Sequence, residues 1–376
     1  MRTDIHKPTE PTGDETTPAR WQWAVIDTMD GPANASLILD GDSPRNFSRV
    51  NRASIARHGL IAREIPTVID KVVASGETRS QYVALADDKI AHLIGVPILG
   101  PSGAVHAVAV WTGNYGEPLP RIPIIGAAEW NGSGIVAATN AAMFLLRTPA
   151  GDALTGHTIP EILSAFDSIE RDGFLAMFNL PTVATPTDHW SGVATLADEA
   201  GQRHDVHIVT RATLVNGERR VRAVVADITG AATPGRPDLT LAAFRHVPVP
   251  GGHALALADL KTGFIHEWMV APNSVLASWR HHNPQFHPDD HIDVINAVFT
   301  LAAGLQATID TSVRVRFAED AEWMHIDAHW TRILDGDRPQ ALIDITPRGK
   351  IPVPVVADCQ VCQEMAAATT KTAPRP

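Results

Sequence analysis

Three times along this chain a strand-like apolar run closes in the same way: Val-Ala-Val-Trp-Thr-Gly at Gly113, Val-Ala-Asp-Ile-Thr-Gly at Gly230 and Leu-Ile-Asp-Ile-Thr-Pro at Pro347. The threonines Thr112, Thr229 and Thr346 are separated by 117 residues each time. Each run follows a turn signal, Ser102-Gly103, Asn216-Gly217 or Asp335-Gly336, as the second strand of a hairpin does. Solenoid repeats are about 20 to 50 residues long, so this period describes comparable globular units in series. Three such units with no fourth point to a sensor or scaffold more than to an enzyme.

The composition fits that partition. A chain of 376 residues, 44% of them apolar, fills two or three cores. The net charge of −11 argues against a nucleic-acid footprint, which needs clustered Lys and Arg. No apolar stretch reaches the roughly 18 residues of a bilayer span, and the first twenty residues hold no apolar signal core. A cytoplasmic location is expected. Cys359 and Cys362 form a single CxxC, which lacks the second pair that a four-ligand zinc site requires and reads as two thiols in a tail.

Five segments follow. Residues 1–19 are a polar tail expected to be disordered. The first unit, 20–115, has strands at 21–26 and 36–39, a helix over 66–74 opened by Pro66, and a hairpin of 90–99 with 104–111. Pro118, Pro120 and Pro123 stiffen the linker to the second unit, 121–232. There a strand at 134–138 precedes helical pieces at 159–166 and 173–178 and strands at 190–197, 205–214 and 220–228. The third unit, 235–349, opens with a helix that Asp238 caps and a hairpin of 253–260 with 264–269. Helical pieces at 274–279 and 289–304 come next, the longer one showing a stripe of Ile292, Ile295, Val298, Phe299 and Leu301. Strands at 312–317, 323–330 and 340–345 close the unit, and 350–376 reads as an irregular tail.

In the third unit His287-Pro288-Asp289-Asp290 before a helix, then Val313-Arg314-Val315-Arg316-Phe317, Glu322-Trp323-Met324-His325-Ile326-Asp327 and Asp344-Ile345-Thr346 resemble the PAS sensor-domain pattern in its usual order. The second unit resembles it through Trp130-Asn131-Gly132-Ser133-Gly134, Asn216 to Val221 and Asp227-Ile228-Thr229, without the His-Pro-Asp-Asp step. The first is similar to a shortened GAF domain through Gly95 to Val105. As a whole the chain resembles actinobacterial, mycobacterial-type triple sensor-domain proteins, one GAF-like and two PAS-like units without an output domain. That resemblance implies an α+β fold in which each unit is an antiparallel sheet of about five strands under helices that enclose a small pocket. It further implies a non-enzymatic sensor or adaptor that binds a small ligand, a signalling partner protein, or both, and a chain able to pair with its own copy. Family members bind haem, flavin, small acids or nothing, so no cofactor is expected.

The pocket candidates are Trp268, Trp279, His291, Phe299, Val315 and His325, drawn from an aromatic cluster that also holds Phe286, Trp323 and Trp330. A haem would need an axial His, for which His291, His325, His329, His157 and His207 are the candidates. The run from His281 to His291 invites a metal and, as the alternative function, a metal-dependent enzyme, but a Pro288 in the first helical turn takes His287 off the face of His291. Asp289 and Asp290 there suit the positive end of a helix dipole. No catalytic residue is expected, since no nucleophile elbow, phosphate loop or zinc helix is present. A further reading is a structural scaffold with pockets filled by side chains.

Overall fold

A computed structural model describes residues 22–86, 88–146, 157–179, 187–197, 201–215, 217–231, 235–271, 274–334 and 336–348. The expected tails, the turn residues Asn216 and Asp335, and Cys359 and Cys362 lie outside them. The architecture is α+β, with three antiparallel sheets and few helices.

The first sheet holds β1 (Ala24–Asp27), β2 (Ser36–Asp40), β3 (Ser43–Ser48), β4 (Arg79–Ala84), β5 (Ile90–Leu99) and β6 (Val105–Asn114), with α1 (Gly59–Ser75) between β3 and β4. Ile61, Ile65, Val68, Ile69 and Val72 recur at helical spacing on α1 and are buried over the sheet. Gly76, in the left-handed region at φ 66°, ends the helix and donates to the Val72 carbonyl. The helix expected to open at Pro66 instead starts at Gly59. Pro66 sits mid-helix on an exposed face, where a ring lacking an N–H forfeits one backbone bond without disturbing the buried stripe.

The second sheet holds β7 (Ile125–Trp130), β8 (Val136–Ala138), β9 (Thr187–Ala197), β10 (Arg203–Val215) and β11 (Glu218–Asp227), with α2 (Asn140–Leu145), α3 (Ile159–Ser164) and α4 (Arg171–Ala176). Thr139, Thr158 and Glu170 cap the three short helices with their side-chain oxygens. The third unit begins with α5 (Leu239–Arg245), capped by Asp238 as expected, and continues through β12 (Ala254–Asp259) and β13 (Ile265–Val270). A 3₁₀ segment (Val275–Arg280), β14 (Gln285–Phe286), a 3₁₀ turn (Pro288–Asp290) and α6 (His291–Ala302) precede β15 (Thr308–Arg316), β16 (Met324–Leu334) and β17 (Gln340–Arg348).

The strand orders are β3-β2-β1-β6-β5-β4, β8-β7-β11-β10-β9 and β13-β12-β17-β16-β15-β14. Each sheet puts its first strand beside its last: β1 with β6, β7 with β11, β12 with β17. The runs that repeat every 117 residues are therefore the central last strands, buried on both sides by their neighbours.

Each sheet covers its own helix-side core. A fourth cluster joins the opposite faces of the first two sheets, where Val25, Leu39 and Ala107 meet Val209, Val224 and Ala226. The first two sheets thus pack face to face with helices outside. Polar side chains fix the register between them. Arg211 pairs with Asp27 at 2.6 Å and lies over the Phe47 ring at 4.7 Å. Both ring nitrogens of the fully buried His106 face acceptors across the junction, the Ala223 carbonyl at 3.2 Å and the Glu129 carboxylate at 2.9 Å. Gly100 is obligatory here, because a Cβ would strike the His106 ring and Glu129. Burial alone would raise the Glu129 carboxyl, but hydrogen bonds from His106 and Ser102 and the His106 charge hold it at about 2.

Candidate functional site: an apolar cavity shared by two units

The inner face of the third sheet alternates as strands must: Thr311, Val313 and Val315 of β15 point inward, and Asp310, Ser312 and Arg314 point out. On β16 the inward set is Ile326, Ala328 and Trp330. A single methyl at Ala328, under a cover made of short 3₁₀ and helical pieces, leaves space that the surrounding side chains do not fill. The result is a cavity of about 310 Å³.

Trp279 forms part of its wall, backed by Trp268 in a stacked pair with centroids 4.8 Å apart and planes 26° apart. The Trp268 indole donates to the Leu276 carbonyl at 3.2 Å, and this bond holds the 3₁₀ segment that carries Trp279. Phe286 and Val294 add to the same side. The turn after β12, Lys261-Thr262-Gly263-Phe264, borders the opening. Gly263 adopts φ 74°, and Thr262 is tied to Asp259 through its hydroxyl.

The rest of the mouth comes from the second unit: Ser133, Gly134, Ile159 and Pro160. Several contacts hold that unit in place. The Asn283 amide donates to the Ser133 carbonyl at 2.6 Å, and His281 and His157 both approach the Glu161 carboxylate, each at 3.1 Å. Deeper in the junction the Phe264 ring meets Phe178 edge-on at 5.8 Å. Beside it Glu267, 2% exposed, is gripped by Arg171 at 2.6 Å and Arg245 at 2.8 Å. Arg245 also donates to the Phe166 and Leu163 carbonyls, and Arg338 bridges Asp259 to Asn179.

His266 lies inside this network. Arg171 donates to its Nδ1 at 3.3 Å, so the ring proton is on Nε2, 2.8 Å from the Gln340 amide oxygen. Burial, reinforced by the Arg171 charge, pushes its pKa down to about 4. Burial alone does the same to His207, which is 4% exposed and shares the β10 face of Val209 and Arg211. Both histidines are neutral in the fold but take up protons below about 6.5 when unfolded. Their folded pKa is depressed, so their contribution is whole above pH 6.5 and is lost as pH falls toward 4. Urea midpoints at pH 7 and pH 4.5 are expected to differ by a few kcal/mol in unfolding free energy, with roughly 3 kcal/mol from each ring at the acid limit. Equal midpoints would show that neither ring is held neutral.

Of the six residues singled out in the sequence, Trp279 lines the cavity, while Trp268 and Val315 belong to the core around it. His291, Phe299 and His325 lie on the exposed surface and do not face the cavity. The helical stripe explains the difference. α6 has two apolar faces, and Val294, Ala297, Val298 and Leu301 turn to the sheet. Ile292, Ile295 and Phe299 are therefore left 57%, 61% and 68% exposed. His325 falls on the outer register of β16, paired opposite Arg314 and Arg348.

The His-Pro-Asp-Asp step works as a docking joint more than as a dipole partner. Asp290 accepts from the Arg314 backbone at 2.7 Å and from its guanidinium at 2.7 and 2.9 Å, which ties the start of α6 to β15. His287 packs against the Trp323 ring at 4.9 Å. Among the described residues no three His, Cys, Asp or Glu side chains are grouped as metal ligands. Sequence reasoning missed most of the lining, including Phe264, Val294, Thr311, Val313, Ile326 and Ala328 of the third unit and all four residues of the second. Thr311 lies just before the strand read at 312–317, and the second-unit residues meet the third unit only through tertiary packing.

The fold defined so far is three antiparallel sheets in series, each with its own helical cover. Residues 22–121 match the family described as Rv3651-like, N-terminal. A crystal structure of an uncharacterized protein from Mycobacterium tuberculosis, 20% identical, covers 88% of this chain and 97% of its own with a TM-score of 0.66, and so shares the fold. An RNA-binding Light-Oxygen-Voltage receptor, 9% identical, covers 59% of this chain and 95% of its own at a TM-score of 0.23, too low to carry an argument. No curated protein matches. None of the described helices is long and apolar enough to cross a membrane.

Proposed function

We propose that the chain is a non-enzymatic cytoplasmic sensor or adaptor, with a GAF-like unit over 20–115 and PAS-like units over 121–232 and 235–349. A small ligand in the third unit's cavity sets how the second unit sits on the third, and a partner protein reads the resulting surface. The observation that carries this reading is the shared wall. Ser133, Gly134, Ile159 and Pro160 close a cavity otherwise built from the third unit, so whatever fills it touches both. The volume of about 310 Å³ is at the lower end for small-molecule sites, about 300 to 1,000 Å³. The first-strand-beside-last topology common to all three sheets supports a common kind of unit.

Thermal-shift screening against neutral apolar metabolites tests the reading. A ligand at a hundredfold excess over its Kd is expected to stabilise the chain by about 2.7 kcal/mol. Ala328→Leu, which fills the cavity floor, is expected to abolish that shift while preserving the fold. A panel without a single cavity-dependent shift would defeat the proposal.

A further inference from the structure

The lining of the cavity also restricts the chemistry of its guest, an inference that rests on the ligand-binding reading above. None of the side chains around it is Asp, Glu, Lys, Arg or His. An ion placed there would lose its hydration with no opposite charge in return, a penalty of several kcal/mol. Carboxylates, phosphates and ammonium compounds are therefore excluded. The guest is uncharged.

The polar groups that remain are few, and most are already engaged. The Thr262 hydroxyl donates to Asp259 and accepts from the Phe264 amide, and the Ser133 hydroxyl donates to Asn131. Thr311 differs. Its oxygen accepts the Trp330 indole N–H at 3.0 Å, which fixes the hydroxyl on the inner face of β15, yet its own proton has no acceptor among the described residues. An O–H already polarised by a donor to its oxygen is a good donor in turn. Here the partly buried Thr311 borders the apolar cavity, where a guest oxygen can take that proton in place of water.

We propose that the cavity binds an uncharged, largely apolar molecule bearing one hydrogen-bond acceptor, a ketone, ester or ether oxygen, which takes the Thr311 hydroxyl proton while the apolar body lies against Trp279. The hydrogen bond is directional and Trp279 is held by its stacked neighbour, so the two groups orient the guest with one end toward the mouth that the second unit closes.

Two naphthalene probes of similar size test this on the full chain by fluorescence titration: 6-propionyl-2-dimethylaminonaphthalene, a neutral ketone, and 1-anilinonaphthalene-8-sulfonate, an anion. The ketone is expected to bind with a blue-shifted emission that Ala328→Leu removes, and the sulfonate to show no Ala328-dependent binding. Thr311→Val is expected to weaken the ketone about three- to tenfold, as loss of one neutral hydrogen bond does, and to leave 2-propylnaphthalene, its hydrocarbon counterpart, unchanged. Thr311→Ser, which keeps the hydroxyl, is expected to restore most of the ketone affinity. Equal binding of ketone and sulfonate in the cavity, or an equal effect of Thr311→Val on ketone and hydrocarbon, would overturn the proposed chemistry while leaving a ligand site in place. Failure of all three probes to bind wild-type protein in an Ala328-dependent way would overturn both the ligand site and its chemistry.

Discussion

Glu267→Ala is expected to destabilise the protein by about 3–5 kcal/mol, because it leaves two guanidinium groups in a buried junction without their anion. Glu267 is 2% exposed, and its Oε1 alone meets Arg171 at 2.6 Å and Arg245 at 2.8 Å. Arg171 belongs to α4 of the second unit, Arg245 ends α5, and Glu267 sits on β13 of the third, so one carboxylate ties three elements. The loss should fall on the junction. Chemical denaturation would show a transition that splits or shifts early, and amide exchange would show β13 and α4 opening together. Replacing the trio with Glu267→Leu, Arg171→Met and Arg245→Met is expected to recover only part of the deficit, since the apolar trio removes the unpaired charge but leaves the Leu163 and Phe166 carbonyls and His266 Nδ1 without their arginine donors. A single Glu267→Ala variant that melts like wild type would mean the junction is held without its charges.

The second large effect is expected at the other junction. Arg211→Ala leaves the Asp27 carboxylate at 0% exposure with its guanidinium partner gone, a loss of about 3–5 kcal/mol. Burial already raises the Asp27 pKa even against the Arg211 charge, the Met29 amide bond and the Arg211 hydrogen bond. Removing Arg211 takes away two of those opposing influences. The carboxyl should then bind a proton in the fold at a higher pH than in wild type. The variant is thus expected to recover part of its deficit as the pH is lowered, because Asp27, already raised in wild type, takes up its proton in the fold from a higher pH still, and urea unfolding at several pH values reads this directly. Asp27→Asn in the Arg211→Ala background should remove that pH-dependent recovery. Unchanged stability in Arg211→Ala would show that the apolar contact of Val25, Leu39, Val209 and Val224 holds the sheets by itself.

Much of this fold was legible in the sequence where turn chemistry and alternation agree. The hairpin read at 90–99 and 104–111 is β5 and β6, and the one read at 253–260 and 264–269 is β12 and β13, each within a few residues. Elements without such marks were missed. β7 reads Ile-Gly-Ala-Ala-Glu-Trp, a composition of low strand propensity that becomes a strand because β11 and β8 pair with it. β3 carries Pro44 on a sheet edge, and β4 alternates with mostly polar residues, so neither shows an apolar period. α6 is apolar over more than half its circumference, with Asp293, Asn296 and Thr300 on one narrow polar strip, so its sequence did not say which part of the apolar arc is buried. The site was legible only in part for a related reason. Trp279 stood out as a large aromatic residue, but Ser133, Gly134, Ile159 and Pro160 lie more than a hundred residues earlier and reach the cavity only because the units dock.

The two junctions differ in how they are held. Between the first and second units two broad hydrocarbon faces meet flat, an arrangement that resists tilting because any wedge would admit water along its whole length. Between the second and third the hold combines directional bonds with the Phe264–Phe178 contact, and a hollow remains beside them. The hollow therefore lies on the seam itself, walled on one side by the third unit's sheet and on the other by Gly134, Ile159 and Pro160 of the second.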